Sequence, residues 1–191
     1  MIRAFIALPL RGEAARQIRG RQSPIAGARA VEDEDFHLTL TFLGDQPEAV
    51  LRALADDLET LTPDPFEVTL THADVMGGAD PRVVALMAGA SDPLVTLQAR
   101  VARLALGAGI DLKRRRFRPH VTLYRLPRTP GPDTHQKIQA WLARQAGAAP
   151  ITFAATSFEL IESHLTPDGP IYTTLADFPF AGHLAQFDQG S

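Results

Sequence analysis

The spacing of apolar residues along this chain separates predicted strands from predicted helices. Apolar runs of strand length, some alternating with polar residues, predict strands at residues 3–8, 36–43, 66–76, 81–88, 120–126, 151–163 and 171–178. Apolar residues at helical spacing predict helices at residues 11–22, 48–61, 94–106 and 134–147. Because strands and helices follow one another in mixed order with hairpin-type joins, we expect an α+β fold with antiparallel or mixed sheets rather than a doubly wound parallel sheet.

One four-residue frame, His-x-Thr-Leu, occurs in two of the predicted strands. It reads HLTL at residues 37–40 and HVTL at residues 120–123, in a chain that contains six histidines in 191 residues. The repeat predicts two similar halves, each of which contributes one such strand. We therefore expect a single domain over residues 1–191, made of two pseudo-symmetric lobes.

Strand alternation predicts which side chains of these frames face the core. Side chains at i and i+2 lie on the same face of a strand, roughly 7 Å apart. In the first strand we expect the apolar side chains on the core face and the polar ones on the other: Phe36, Leu38, Leu40 and Phe42 against His37, Thr39 and Thr41. In the second strand the same rule places Val121 and Leu123 inward, and His120, Thr122 and Tyr124 outward.

Two such strands facing one another would form a site with two imidazoles and two hydroxyls. Histidine titrates near pH 6.5, so one ring can accept a proton while the other donates one. Threonine hydroxyls can donate hydrogen bonds to the non-bridging oxygens of an anion held between them. The combination predicts phosphodiester cleavage by acid–base catalysis without a metal.

A basic segment precedes the second frame and supplies candidate substrate contacts. Arg115 and Arg118 belong to this segment; they either pair with phosphates or lie in a solvated loop. Tyr124 follows Thr122 on the same predicted face, where we expect it to line the site. Strict alternation places Arg125 on the core face, where a lone charge is costly, unless a β-bulge or the strand end redirects it toward the site.

Composition limits the chemistry further. The formal net charge is −3 and the isoelectric point about 6.0, so any site for a polyanion is a local patch. The absence of cysteine excludes disulfides, thiolate zinc sites and thiol nucleophiles. The N-terminus lacks the pattern of a signal peptide, and no apolar run reaches the roughly 18 residues of a membrane helix. We expect a soluble, cytoplasmic protein.

The two frames resemble the signature of the two-histidine (2H) phosphoesterase superfamily, which has two His-x-Thr/Ser frames in a bilobal α+β fold. Three further stretches resemble its branch of RNA 2′,3′-cyclic phosphodiesterases, also called 2′-5′ RNA ligases: RAFIALPL, RPHVTLYRL and LIESHLTPDGPIYTTL. The resemblance spans most of the chain. It implies two similar antiparallel or mixed sheets with helices on the outside and a central cleft.

The resemblance also implies a reaction. The catalytic residues of the family correspond to His37, Thr39, His120 and Thr122. They imply hydrolysis of RNA 2′,3′-cyclic phosphate ends to 2′-phosphates without metal or cofactor, with His37 as the acid for the departing 3′-oxygen and His120 as the base for water. The same site run backwards, with a 5′-hydroxyl in place of water, would form a 2′-5′ linkage. We expect RNA with such ends as the partner, and a monomer with no obligatory protein partner.

Three features depart from the pattern of this branch. Ala30 stands where many members carry tryptophan, and His164 stands where arginine is common. The acidic run from Glu32 to Asp35 is unusual so close to a site for a polyanion. Each departure changes how an RNA end would be held.

Three alternative functions stay open. The same site could act on a small cyclic nucleotide or on a sugar cyclic phosphate. His37 and His120 could instead be ligands of a metal hydrolase, although the sequence has no His-x-His or His-Glu-x-x-His frame and threonine is a poor ligand. The third alternative is a non-catalytic module that binds RNA ends.

Overall fold

The computed structural model describes residues 1–77, 81–114, 116–167 and 169–182. In this part of the chain the strands are β1 (Ile2–Pro9), β2 (Arg29–Ala30), β3 (His37–Gln46), β4 (Phe66–Met76), β5 (Val83–Ala88), β6 (His120–Arg125), β7 (Ile151–Ala155), β8 (Ser157–Thr166) and β9 (Gly169–Pro179). The helices are α1 (Gly12–Arg21), α2 (Glu48–Leu58), α3 (Asp92–Gly107) and α4 (Pro132–Gln145). No helix among the described residues is long and apolar enough to cross a membrane.

Eight of the strands form one continuous antiparallel array in the order β7-β4-β5-β6-β3-β1-β8-β9, and β2 pairs with β6. The array consists of two four-stranded halves, which meet where Leu38 of β3 pairs with Val121 of β6. The predicted α+β fold with antiparallel pairing is confirmed. The predicted strand 151–163 is two strands, because the chain leaves β4 after β7 and continues as β8 beside β1.

The main core lies between one face of the sheet and the four helices. The helices bury the apolar positions that their spacing predicts; α3, for example, buries Leu94, Leu97, Val101 and Ala105. Leu38 and Val121 are fully buried in this core. Each such side chain stabilises the fold by about 1.5–3 kcal/mol. The core packing of Leu38 and Val121 therefore fixes the two strands that carry the frames. A smaller cluster on the opposite face joins Phe5, Ala7 and Ile161 to Tyr172.

Two β-bulges reverse the alternation along β3. The register between β1 and β3 shifts between Ala4 and Phe5 and again between Ile6 and Ala7, and each shift adds one residue to β3. Thr41 consequently lies opposite Ile6 and is buried on the core face, whereas Phe42 lies opposite Phe5 and is 67% exposed. The faces predicted for Thr41 and Phe42 were therefore wrong.

A third bulge lies in β6 and changes the direction of its last two side chains. The register between β5 and β6 shifts between Val84 and Ala85, so Leu123 is the additional residue. Tyr124 turns into the core, is 1% exposed and contacts Trp141 edge-on at 5.5 Å between ring centroids. Its hydroxyl donates to the carbonyl oxygen of Ser23 at 3.0 Å. The expectation that Tyr124 lines the site is wrong, because the bulge exchanges the faces of Tyr124 and Arg125.

Candidate active site

The four polar residues of the two frames surround the Leu38–Val121 pair. Because Leu38 and Val121 point into the core, the flanking side chains point to the opposite face: His37 and Thr39 from β3, His120 and Thr122 from β6. In an antiparallel pair His37 and His120 then occupy diagonal positions, which a regular ladder separates by roughly 7–8 Å. The proximity is electrostatically significant, since the charge of His120 contributes to lowering the pKa of His37.

Both imidazoles are oriented by the same backbone contact. His37 Nδ1 lies 2.7 Å from the carbonyl oxygen of Asp35, and His120 Nδ1 lies 2.8 Å from that of Arg118. A carbonyl oxygen only accepts, so Nδ1 carries the proton in each ring. In the neutral rings Nε2 is consequently the basic nitrogen that can exchange a proton with a ligand.

Burial of the two rings favours their neutral forms. His37 packs beside Phe5 at 4.8 Å and edge-on against Tyr172 at 5.1 Å between ring centroids. Burial, opposed by the hydrogen bond to Asp35 and aided by the charges of Arg125 and His120, lowers the pKa of His37 to about 4. Burial also lowers the pKa of His120, against the hydrogen bond to Arg118. Both imidazoles are therefore neutral at pH 7 in the absence of a ligand.

The two threonines have matching surroundings. Thr39 lies opposite Ala7 in β1, and Thr122 lies opposite Ala85 in β5. Alanine is short, so Thr39 on the side of β1 and Thr122 on the side of β5 have no bulky cross-strand neighbour. The hydroxyls can therefore turn toward an anion placed between the strands.

Of the basic residues predicted to contact the substrate, one lies on the site face of the sheet and another extends away from the site. The β6 bulge turns Arg125 to the site face, where its Nη2 donates to the hydroxyl of Tyr172 at 2.5 Å. Arg118 extends toward β4 and pairs with Asp74 at 3.0 Å between Nη2 and Oδ2. Arg115 lies outside the described residues. Arg29, which the sequence did not single out, lies directly opposite Arg125 in β2.

A cavity of about 140 Å³ lies beside His37 and contains a buried carboxylate. Glu159 is 3% exposed; Arg11 Nη2 lies 2.5 Å from its Oε1, and Thr174 Oγ1 lies 3.1 Å from its Oε2. Sequence reasoning missed Glu159, although one signal was present: a single charge inside the apolar run FELI.

A metal site in a protein needs several imidazole or carboxylate ligands that converge on one point. Among the residues that the structure describes, no three histidine or acidic side chains are grouped so that they could hold a metal ion.

Comparisons with known proteins agree with the fold. The sequence model of the 2′-5′ RNA ligase superfamily matches residues 9–167. An RNA 2′,3′-cyclic phosphodiesterase of Aeropyrum pernix is 31% identical over 77% of this chain and 83% of that protein. One of Thermotoga maritima is 30% identical over 97% of this chain and all of that protein. The crystal structure of E. coli LigT complexed with 3′-AMP superposes with a TM-score of 0.72 at 25% identity, covering 94% of this chain and 98% of that one.

Proposed function

Because this chain belongs to the 2′-5′ RNA ligase superfamily, we propose that it hydrolyses the 2′,3′-cyclic phosphate ends of RNA and leaves a 2′-phosphate. The observation that carries the proposal is the position of both His-x-Thr frames around one cross-strand pair, Leu38–Val121. The names of the relatives from Aeropyrum pernix and Thermotoga maritima support the same activity. We further propose that the protein acts as a monomer in the cytoplasm.

The likeness of the two halves supports a single domain of two pseudo-symmetric lobes over residues 1–191. Each half contributes four strands to the array, and each places its frame on the strand at the seam. Each imidazole bonds to the carbonyl two residues earlier, and each threonine lies opposite an alanine. These matching features support an approximate two-fold relation between the lobes about the Leu38–Val121 pair.

The proposed reaction uses one proton acceptor and one proton donor. Nε2 of His120 takes a proton from water as the water oxygen forms a bond to phosphorus. The bond from phosphorus to the 3′-oxygen breaks, and Nε2–H of His37 gives its proton to that oxygen. The hydroxyls of Thr39 and Thr122 donate to the non-bridging oxygens, on which negative charge increases in the transition state.

The lowered pKa of His37 has a consequence for the order of events. The acid must be protonated, yet His37 in the ligand-free protein is largely neutral above pH 4. A cyclic phosphate between the rings carries a negative charge, which raises the pKa of a neighbouring imidazole. The proton therefore enters His37 together with the substrate, and a buried imidazolium then transfers it readily to the leaving oxygen.

The same groups can serve a second nucleophile. A 5′-hydroxyl in the position of water would give its proton to His120 as its oxygen forms a bond to phosphorus. The bond from phosphorus to the 3′-oxygen breaks, His37 gives its proton to that oxygen, and the product is a 2′-5′ linkage. The superfamily to which the chain belongs is named for this ligation.

The test is the conversion of a short RNA with a 2′,3′-cyclic phosphate end in the presence of a chelator. We expect a 2′-phosphate product, and a loss of turnover of at least ~100-fold for His37→Ala and for His120→Ala. Both variants should still unfold cooperatively on heating, which shows that the loss of turnover is not a loss of folding. Activity abolished by the chelator and restored by zinc would instead favour the metal hydrolase. Tight binding of the RNA end without any product would favour the binding module.

A further inference from the structure

The carbonyl oxygens that orient the two imidazoles belong to different kinds of backbone. Asp35, whose carbonyl orients His37, ends a turn of 3-10 helix, and its N–H donates to the carbonyl of Glu32 at 3.1 Å. Arg118, whose carbonyl orients His120, lies between α3 and β6, where the described residues form neither helix nor strand. The position of the second carbonyl therefore depends more on side-chain contacts than that of the first.

The side chain of Arg118 forms such a contact, and it reaches β4. Its Nη2 donates to Oδ2 of Asp74 at 3.0 Å. The carboxylate of Asp74 is itself oriented, because its Oδ1 accepts from the N–H of Val75 at 2.8 Å. In the sheet β5 lies between β4 and β6, so the arginine side chain spans β5. The ion pair thus ties the residue that orients His120 to a strand two places away.

The strand register places this ion pair on the face of the candidate active site. Asp74 lies opposite Ala85 in β5, and Ala85 lies opposite Thr122 in β6. Residues directly opposite each other in an antiparallel sheet point to the same face, so Asp74 shares the face of Thr122. Arg118 therefore crosses β5 on that face, on the side of His120 away from the seam. Burial lowers the pKa of His120 and the charge of Arg118 lowers it further, as expected for a guanidinium beside the ring.

This ion pair is suited to fix a direction rather than to stabilise the fold. The side chains of Arg118 and Asp74 are 49% and 44% exposed, and ion pairs at such exposure add little to stability. The carbonyl that accepts from His120 Nδ1 belongs to Arg118 itself, so holding the arginine side chain also restrains that carbonyl. The hydrogen bond at one ring nitrogen of a histidine decides which nitrogen carries the proton.

We propose that Asp74 and Arg118 are positioning residues for His120: their ion pair fixes the carbonyl of Arg118, which keeps the proton on Nδ1 and leaves Nε2 free to act as the base. The inference rests on the proposed function, because it concerns the base of that reaction. It assigns neither residue a contact with the substrate. His37 has no need of such a pair, because the residue that orients it belongs to a hydrogen-bonded turn.

The first experiment measures the protonated nitrogen directly. At pH 7, where both imidazoles are neutral, ¹⁵N NMR of the histidine rings distinguishes a proton on Nδ1 from a proton on Nε2. We expect the Nδ1–H form at His37 and His120 in the wild type. In Asp74→Asn we expect a mixture of the two forms at His120 alone, with His37 as the internal control. A His120 ring that keeps its wild-type spectrum in Asp74→Asn overturns the inference.

The second experiment measures turnover of an RNA with a 2′,3′-cyclic phosphate end. Asp74→Asn and Arg118→Gln are each expected to lower kcat about tenfold, as for a lost charge-assisted hydrogen bond, and to leave KM within about twofold of the wild type. The double variant should lose no more than either single variant, because both changes break the same pair. Glu48→Gln is the matched control: it breaks an exposed ion pair with Arg52 in α2, 2.6 Å long, and should keep the wild-type kcat.

A direct contact between Arg118 and a substrate phosphate predicts different kinetics. Arg118→Gln would then raise KM, and Asp74→Asn would lower KM because it frees the guanidinium. Either result overturns the inference and leaves the phosphodiesterase activity in place, and so does a kcat that neither variant lowers. A wild-type protein without any turnover overturns the proposed function, and with it the role of His120 as a base; the NMR comparison then still decides whether Asp74 orients the ring.

Discussion

Leu38 pairs with Val121 at the seam between the two halves of the sheet, and both side chains are fully buried. The pair lies on the core face of the sheet, directly behind the candidate active site. Each of its residues stands between a histidine and a threonine in its own strand. The repeated frame thus combines two requirements in four residues. The polar positions supply the chemistry, and the apolar positions fix how far apart the two strands hold it.

Replacing Leu38 by alanine should therefore affect both stability and activity. We expect the free energy of unfolding to fall by about 2–5 kcal/mol, as for other buried leucines, and kcat to fall because the seam shifts under the imidazoles. Leu160→Ala is the matched control, since Leu160 is 2% exposed in β8, away from the seam. Urea unfolding and kcat at a temperature where both variants are folded test the idea. Equal losses of kcat in the two variants would contradict it.

The hydroxyl of each frame threonine should contribute to the rate rather than to folding. We expect Thr39→Ala and Thr122→Ala to lower kcat about 10-fold to 100-fold, because a donor to the phosphoryl oxygens is lost. Serine at either position should recover most of the rate. Thr69→Ala serves as the control, because Thr69 is bonded to Thr152 at the β4–β7 pair and lies far from the seam. Similar values of kcat for all three alanine variants would contradict the proposed role of the Thr39 and Thr122 hydroxyls as donors to the phosphoryl oxygens.

Sequence reasoning predicted the parts of the fold that depend on local pattern. The helices, the two frames and the antiparallel character follow from apolar periods of 3.6 and 2 that need no knowledge of partners. The faces of Thr41, Phe42 and Tyr124 were predicted wrongly because a bulge depends on how a strand pairs with its neighbour. Alternation along the strand itself does not reveal it, although the lone charge of Arg125 on a predicted core face was a sign of one.

The contacts that join distant segments were not predictable in the same way. Glu159 contacts Arg11 from 148 positions away in the chain. Arg29 lies opposite Arg125 only because β2 pairs with the last two residues of β6. The periodicity of apolar residues carries no information about contacts between residues so far apart in the chain. The cavity beside His37 therefore emerges only from the structure.

The position of Tyr124 leads to a prediction about stability alone. Its hydroxyl bonds to the backbone of half-buried Ser23, so Tyr124→Phe leaves the carbonyl and N–H of Ser23 without this partner. We expect the free energy of unfolding to fall by about 1–3 kcal/mol and kcat/KM to stay within about twofold of the wild type. Thermal or urea unfolding with parallel kinetics measures both. A large loss of kcat/KM in a variant that stays stable would instead indicate that the Tyr124 hydroxyl takes part in the reaction or in substrate binding.

The pH dependence of kcat/KM should reflect the lowered pKa values of both imidazoles. This quantity reports the free enzyme, so a bell-shaped profile with its optimum below pH 6.5 is expected. The charge of Arg125 contributes to lowering the pKa of His37. Arg125→Gln should consequently move the profile to higher pH as well as weaken substrate binding. An optimum well above neutrality, or a profile that Arg125→Gln leaves in place, would contradict the assigned electrostatics.

Burial of His37 should also make the folded state sensitive to acid. Its pKa is near 6.5 in the unfolded chain and about 4 in the folded protein, so between these values the unfolded state binds more protons. The contribution of neutral His37 to the free energy of unfolding is therefore fully present above pH 6.5. It is lost as the pH is lowered toward 4, and the loss amounts to at most about 3 kcal/mol. His37→Gln removes the titrating ring, so its urea unfolding should lose less stability between pH 7 and pH 5 than that of the wild type. If the two proteins lose the same amount, burial does not lower the pKa of His37 in the folded protein, and the inference that His37 takes up its proton together with the substrate is wrong.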